Sequence, residues 1–387
     1  MDIRICKLNE KNQIRKIWEY CFNDSPGYVD FYFENKFDYN NTMVLDLDGN
    51  IISSIHLNQH TLRINSKKFD VSYVVGVSTL PEARGMGMMD DLMKKSILEM
   101  KNRGQMISIL MPIDFRLYRK YGYTNCYNIL VQSINIFDLK KFKINGTFKP
   151  ATENSLENLE EIYRCHTSRL NGYSVRDTKY YKDFIKEMSV DSGYLYINYR
   201  GDEPVGYISY SIDGEKFIVR ECYYKDVISY KSILKYIFNH NTQCKYVEIY
   251  SDLEDPLIDM LDNPKDSTFS IKPFMMARIL DFKSFINSLE LFSDSCKEVK
   301  IKVHDNYIDD NNGKFRLFAD NNLLKISKLD DSEDYEFEFS IDELTSIFMG
   351  YSSIDSIMMM KNIMSGYEKL SELVKINSKT NHINEYV

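Results

Sequence analysis

Apolar residues recur along this chain with two periods, and the changes of period mark its elements. Residues 9–22 place Ile14, Ile17, Trp18 and Cys21 on one helical face, with Asn9 in the capping position. A second helix is expected over 29–37, in a tract dense in aromatic residues (Tyr28, Phe31, Tyr32, Phe33, Phe37). Strand-like runs occupy 2–8, 42–47 and 51–58, the last two joined by Asp48-Gly49-Asn50 as a hairpin, and 60–64 and 69–79 continue the sheet. Residues 88–103 return to helical spacing through Met89, Leu92, Met93, Ser96, Ile97 and Met100, and Gly104 ends that helix. An apolar strand at 106–111, a short helix near 118, a strand at 126–136 and a charged linker at 138–147 follow.

The order then repeats. Helices are expected at 154–170 and 178–188, a hairpin at 194–211, a strand at 215–224, a helix at 227–239 and a strand at 246–250. A third unit opens after a strand at 274–280. It has a helix at 281–291, strands at 298–304, 313–319, 323–328 and 335–340, and helices at 341–350 and 353–365. Residues 378–387 show little pattern and read as an extended tail. The chain thus divides at 1–142, 143–280 and 281–387, an α+β (mixed α/β) protein of three domains, in keeping with 387 residues.

Composition narrows the class. The hydrophobic fraction of 43% with 27% charged residues is that of a soluble globular protein, and no run approaches the ~20 apolar residues that span a bilayer. The N-terminus lacks the apolar core of a signal peptide, so a cytoplasmic protein without membrane contact is expected. Seven scattered cysteines with no Cys-x-x-Cys predict reduced thiols, and six histidines without ligand spacing predict no metal. A net charge of −8 speaks against nucleic acid as a partner and for a cationic substrate.

The chemistry concentrates at 72–127. A Val- and Tyr-rich strand ends at Leu80-Pro81, and Arg84-Gly85-Met86-Gly87 forms a tight loop that feeds a helix. A glycine loop at a helix N-terminus offers unpaired N–H groups and the positive end of a dipole, which suits a pyrophosphate. At the matching junction of the repeat, 222–227, there is no glycine, so that copy is expected to be structural.

The loop, with Arg84, Gly85, Met86, Gly87, Met88 and Met89 filling R/Q-x-x-G-x-G/A, resembles the acyl-CoA signature of the GCN5-related N-acetyltransferases. Met89 stands where that signature has a small residue. The run Leu117-Tyr118-Arg119-Lys120-Tyr121-Gly122-Tyr123 resembles the family's terminal aromatic-glycine element. The tracts 303–313 and 341–350 resemble a sterol-carrier-protein-like domain. Two acetyltransferase folds, the second degenerate, and a sterol-carrier-like domain in that order resemble the enhanced intracellular survival (Eis) acetyltransferases over the whole chain.

That resemblance implies an acetyl-CoA-dependent N-acetyltransferase acting on primary amines: aminoglycosides, polyamines or lysine side chains, as small molecules or peptides. It further implies a homo-oligomer, hexamers being common in the family. Val77, Ser78 and Thr79 would bond the pantetheine arm, the run Arg84, Gly85, Met86, Gly87, Met88, Met89 and Asp90 the pyrophosphate, and Ile113 and Asp114 would lie beside the thioester. Tyr118 would be the general acid, with Tyr123 second, and the α-carboxylate of Val387 the general base. Glu385 would help attract the ammonium group. The aromatic tract at 28–37 reads as core packing or, through Asp30 and Glu34, as an amine-binding groove. Two rivals stand beside this reading. One is a lipid- or acyl-ligand-binding protein with inactive transferase domains; the other is a tandem enzyme transferring aminoacyl groups from tRNA, which the intact loop and the negative charge disfavour.

Overall fold

A computed structural model describes residues 1–293, 297–376 and 379–386. The first third begins with β1 (Asp2–Ile5), α1 (Lys11–Cys21), α2 (Pro26–Asn35), β2 (Thr42–Leu47), β3 (Asn50–Ile64) and β4 (Lys67–Thr79). It continues with α3 (Met88–Asn102), β5 (Ile107–Leu110), α4 (Phe115–Arg119) and β6 (Thr124–Asn135). Asp48 and Gly49 both take positive φ, which closes the β2–β3 hairpin. Asn9 does not cap α1. It lies inside a short turn, and Glu10 stands at the N-cap with its carboxylate taken by Arg4 and the Lys7 amide. Ser25 caps α2 three residues earlier than expected, because Pro26 suits the first helical position. The strands expected at 51–58 and 60–64 are one continuous β3.

The second third holds β7 (Thr147–Pro150), α5 (Leu156–Thr167), β8 (Tyr173–Ser174), α6 (Thr178–Val190), β9 (Tyr194–Arg200) and β10 (Glu203–Asp213). After these come β11 (Lys216–Tyr224), α7 (Val227–Phe238), β12 (Tyr246–Ser251), α8 (Leu257–Met260) and β13 (Thr268–Ile279). The first two thirds do not form separate sheets. They share one of thirteen strands, in which β13 inserts between β5 and β6, and β6 pairs in turn with β12.

The last third carries α9 (Phe282–Leu289), β14 (Glu298–His304), β15 (Gly313–Asp320), β16 (Leu323–Lys328), β17 (Phe337–Ser340), α10 (Ile341–Phe348), α11 (Ile354–Met360) and α12 (Glu368–Leu373). Its four strands lie in the order β16-β15-β14-β17. One face of the first sheet and this unit share a core, where Phe69 meets Phe285 edge-on at 5.2 Å. The opposite face packs on α3 through Leu92, Met93, Ile97 and Met100.

A buried ion pair joins the units. Arg278 of β13 donates to both carboxylate oxygens of Asp305, at 2.7 and 2.8 Å, and to the Tyr121 carbonyl. The tail is not a loose extension. Residues 381–385 are buried between the first two thirds as a strap, with Asn381 bonded to Asn171 and to the Cys126 and Met349 carbonyls.

Candidate active site

β4 and β5 pair only through Ser72–Ser108, Tyr73–Ile109 and Val74–Leu110 and then diverge. Gly76 marks the divergence. The β3–β4 register slips there, the glycine has φ +58°, and an added Cβ would lie 2.4 Å from the Trp18 ring. Only glycine lets the strand bulge against that indole. Beyond the bulge, residues 75–79 have lost β5 as a neighbour, so one edge of their backbone faces the wedge.

Two cavities meet in this wedge. The outer one is lined by Val77, Ser78, Thr79, Arg84, Gly85, Gly87, Met88, Met89, Asp90 and Ile113, along with Cys21, Phe22 and Lys120. Gly85 and Gly87 adopt φ of +77° and +76° with open space where a Cβ would stand, and Gly87 is the N-cap of α3. The Asp90 amide donates to the Gly87 carbonyl at 2.9 Å, which leaves the amides of Met88 and Met89 without an acceptor in the helix. The Arg84 guanidinium is folded back, its Nε donating to the Thr79 carbonyl at 2.9 Å. Lys120, which no sequence signal marked, adds a positive charge beside Asp90. This surface of free amides, open glycines and cation fits a pyrophosphate. Met86 and Asp114 do not line it: Met86 points to solvent, and Asp114 caps α4 and pairs with Arg116.

The inner cavity is bounded by Trp18, Phe22, Asp24, residues 73–77, Met111, Ile113 and Tyr118. Three tyrosines crowd the nearby turn, and their partners separate them. Tyr121 donates to Asp90, and Tyr123 is bonded to Ser108 at 2.8 Å. Among the described residues the Tyr118 hydroxyl has no hydrogen-bond partner, and its side chain borders the cavity. Burial pushes its pKa up to about 12, so it stays protonated at neutral pH.

Asp24 leads into a third cavity of about 560 Å³ at the seam between the two halves. Trp18 Nε1 donates to the Asp24 carboxylate at 2.8 Å. Glu187, Asp191, Arg220, Tyr28, Tyr250 and Tyr386 complete its lining. Glu187 is paired with Arg220 at 2.6 Å, whereas burial and the neighbouring Glu187 push the Asp191 carboxyl upward. Sequence reasoning passed over Asp24 because Asp24-Ser25-Pro26-Gly27 reads as a helix break, and Glu187 and Asp191 because they belong to the other half.

The remaining candidates are placed as follows. Asp30 is exposed and pairs with Arg15 at 2.6 Å, and Glu34 is exposed on the same helix. Neither borders these cavities. Glu385 is buried, its carboxylate accepting from Arg176 Nε at 2.9 Å and Tyr180 Oη at 2.7 Å. Burial alone would raise its pKa, but Arg176, His60 and Tyr180 outweigh it and hold the group at about 2. Val387 lies outside the described residues.

At the repeat's junction, Asp226 fills the N-terminus of α7, accepting from the Ser229 amide at 2.7 Å and from Arg200 at 3.1 Å. Burial raises this carboxyl, yet the bonds from Arg200 and Ser229 hold it at about 2. A helix end closed by its own carboxylate does not attract an anion. His166 is likewise spent on Asp252, at 3.0 Å. The described cysteines are free thiols, no described helix is long and apolar enough to cross a membrane, and the described residues contain no metal-holding group of three or more His, Cys, Asp or Glu.

Comparison with known proteins agrees with this layout. Residues 2–126 and 172–279 each match an acetyltransferase (GNAT) domain, and 282–382 match a sterol carrier protein domain. GNAT domains use acetyl-CoA as co-substrate. No curated protein matches. Among solved structures, a probable N-acyltransferase of Enterococcus faecalis is 19% identical, with a TM-score of 0.88 over 100% of this chain and 99% of its own. A GCN5-related N-acetyltransferase of Anabaena variabilis is 20% identical with a TM-score of 0.85, and Eis1 of Mycobacterium abscessus 14% with 0.79, each covering 100% of both chains. At such identities these likenesses speak for the fold.

Proposed function

From a chain built of two acetyltransferase (GNAT) domains and a sterol carrier protein domain, we infer an acetyl-CoA-dependent N-acetyltransferase of primary amines, with its chemistry confined to the first domain. The observation that carries this reading is one continuous wedge: the open glycine loop on one side, the carboxylate-lined cavity on the other, and between them a Tyr118 hydroxyl with no hydrogen-bond partner among the described residues. Gly85, Gly87, the Met88 and Met89 amides and Lys120 would hold the pyrophosphate end of acetyl-CoA, and 75–79 its pantetheine arm.

The amine must be neutral to attack the acetyl carbonyl. With an ordinary pKa of about 10.4, it reaches the site protonated. Asp24 and Asp191 would attract it, and a base must take its proton. We assign that step to the α-carboxylate of Val387, since Tyr386 already stands in the amine cavity. As the C–N bond forms and the C–S bond breaks, the Tyr118 proton passes to the departing sulfur. From a phenol raised to about 12 to a thiolate whose acid has a pKa near ~8.5 that transfer is uphill, by roughly 5 kcal/mol, so it must accompany the departure of the sulfur. Three carboxylates against one guanidinium favour an amine bearing more than one positive charge, such as a polyamine or aminoglycoside.

The test is a turnover screen against aminoglycosides, polyamines and lysine peptides with mass detection of products, beside calorimetry with acetyl-CoA. One cofactor site per chain and acetylated amines are expected. Co-purified lipid with neither acetyl-CoA binding nor product would favour a lipid- or acyl-binding protein instead.

A further inference from the structure

The second half cannot offer an anion site at Asp226, yet it carries a buried arginine with every direction of its guanidinium in use. Arg176 follows β8 and is wholly buried. Its plane lies against the rings of Tyr163 and Tyr180, 4.3 and 4.5 Å from their centroids. In that plane Nη1 and Nη2 donate to Glu221 of β11 at 3.1 and 2.7 Å. Nε donates to Glu385, and Nη2 also reaches the Asn384 carbonyl at 3.4 Å.

The same stretch of strap is held from other sides. Tyr180 completes the Glu385 carboxylate, Asn384 Nδ2 donates to the Arg220 carbonyl at 2.5 Å, and Tyr73 of β4 donates to the Glu385 carbonyl at 3.3 Å. His382 is bonded to Tyr223 at 3.0 Å. Tyr386 then enters the amine cavity, its ring 5.2 Å from that of Phe274 and 5.0 Å from the Arg220 guanidinium.

A buried ion pair is a poor way to add stability, since apolar side chains of like volume serve as well. What a planar, forked donor adds is direction and register. Here the groups brought into register are β11 of the second half and the strap, one residue before the strap reaches the substrate cavity. We propose that Arg176, with Glu221 and Tyr180, is a positioning residue for catalysis: it fixes the register of the strap so that Tyr386 is presented to the amine. The second acetyltransferase fold is then the mount of the strap. This inference rests on the reading of the strap as part of the amine site.

The test uses the full chain. Tyr180→Phe and Glu385→Gln remove one bond and one charge, and Arg176→Lys keeps the charge without the fork. Melting temperature, acetyl-CoA affinity and the steady-state constants for the amine are measured for each. The expected result is a folded protein with acetyl-CoA affinity within about twofold of wild type and kcat lowered at least about tenfold, since ~1 Å of misplacement costs on the order of 10² in rate. Arg176→Lys should recover part of what Arg176→Met loses. Should Arg176→Met fail to fold with two carboxylates unpaired, the neutral triple variant Arg176→Met, Glu221→Gln, Glu385→Gln decides, with kcat expected as low as in a chain lacking 380–387. Wild-type kcat per folded molecule in these variants, whatever their melting temperature, overturns the proposal. Full kcat in the chain lacking 380–387 would overturn the reading of the strap itself, a result that does not involve Arg176.

Discussion

Three tyrosines of one turn share a chemistry and differ in what their hydroxyls touch. Tyr121 and Tyr123 are committed to Asp90 and Ser108, which leaves Tyr118 to face the wedge. Tyr118→Phe should therefore lower kcat by roughly 10²–10⁴-fold with little change in KM, because a proton donor acts in the transition state. Near-wild-type turnover at saturating acetyl-CoA would remove it from the mechanism. With its pKa at about 12, Tyr118 should cause no loss of kcat on the alkaline side up to about pH 10. The glycines separate in the same way. Gly87→Val meets open space but at φ +76°, a strain of about 1–2 kcal/mol that the fold should survive, while calorimetry shows acetyl-CoA binding lost. Gly76→Ala drives a methyl into Trp18 at positive φ and should cost about 2–4 kcal/mol in denaturant unfolding.

Among the elements, the strap departs most from its sequence. His382, Asn384 and Glu385 are polar, yet all three are buried, because partners on distant elements satisfy them. Periodicity reports what a side chain prefers and is silent about a partner two hundred residues away. The helices and the glycine loop were legible because their signals are local. Asp24 was hidden by its own local signal, a helix break, and the strap by the lack of one. Its histidine makes a checkable statement about pH. Burial pushes His382 down to about 4 and His56 to about 3, so both are neutral in the folded protein. The unfolded chain binds their protons at about pH 6.5, so their contribution is intact above that pH and is lost as pH falls toward 4. Urea unfolding should show stability declining below pH 6.5 by up to about 1.4 kcal/mol per pH unit for each histidine. His382→Gln should flatten that slope; an unchanged slope would mean that the strap histidine does not titrate on unfolding.

Across the whole molecule, the three-unit order was legible in the alternation of helical and strand periods, and the repeat was visible as a repeat. The joining of its two copies was not. Strand pairing at long range depends on backbone edges and leaves no mark in hydropathy, so nothing at 268–279 announced that β13 would lie between β5 and β6. The pinning of the Tyr121 carbonyl by Arg278, itself held by Asp305 of the last unit, escaped notice for the same reason. Gly122 shows how close that contact is: a Cβ there would collide with the guanidinium.

The interleaved sheet has a consequence for how the protein is made. During synthesis the strands through β6 leave the ribosome well before 268–279. Until then β5 lacks its antiparallel neighbour, and β6 lacks β13 throughout and β12 until 246–251 emerge. The catalytic part is thus translated first and finished late, waiting on contacts far along the chain, and its bare strand edges are exposed to aggregation in the interval. A fragment of residues 1–142 should accordingly be insoluble or unfolded, whereas 1–280 should keep its sheet. A monomeric, cooperatively melting 1–142 would show that the late strand is dispensable.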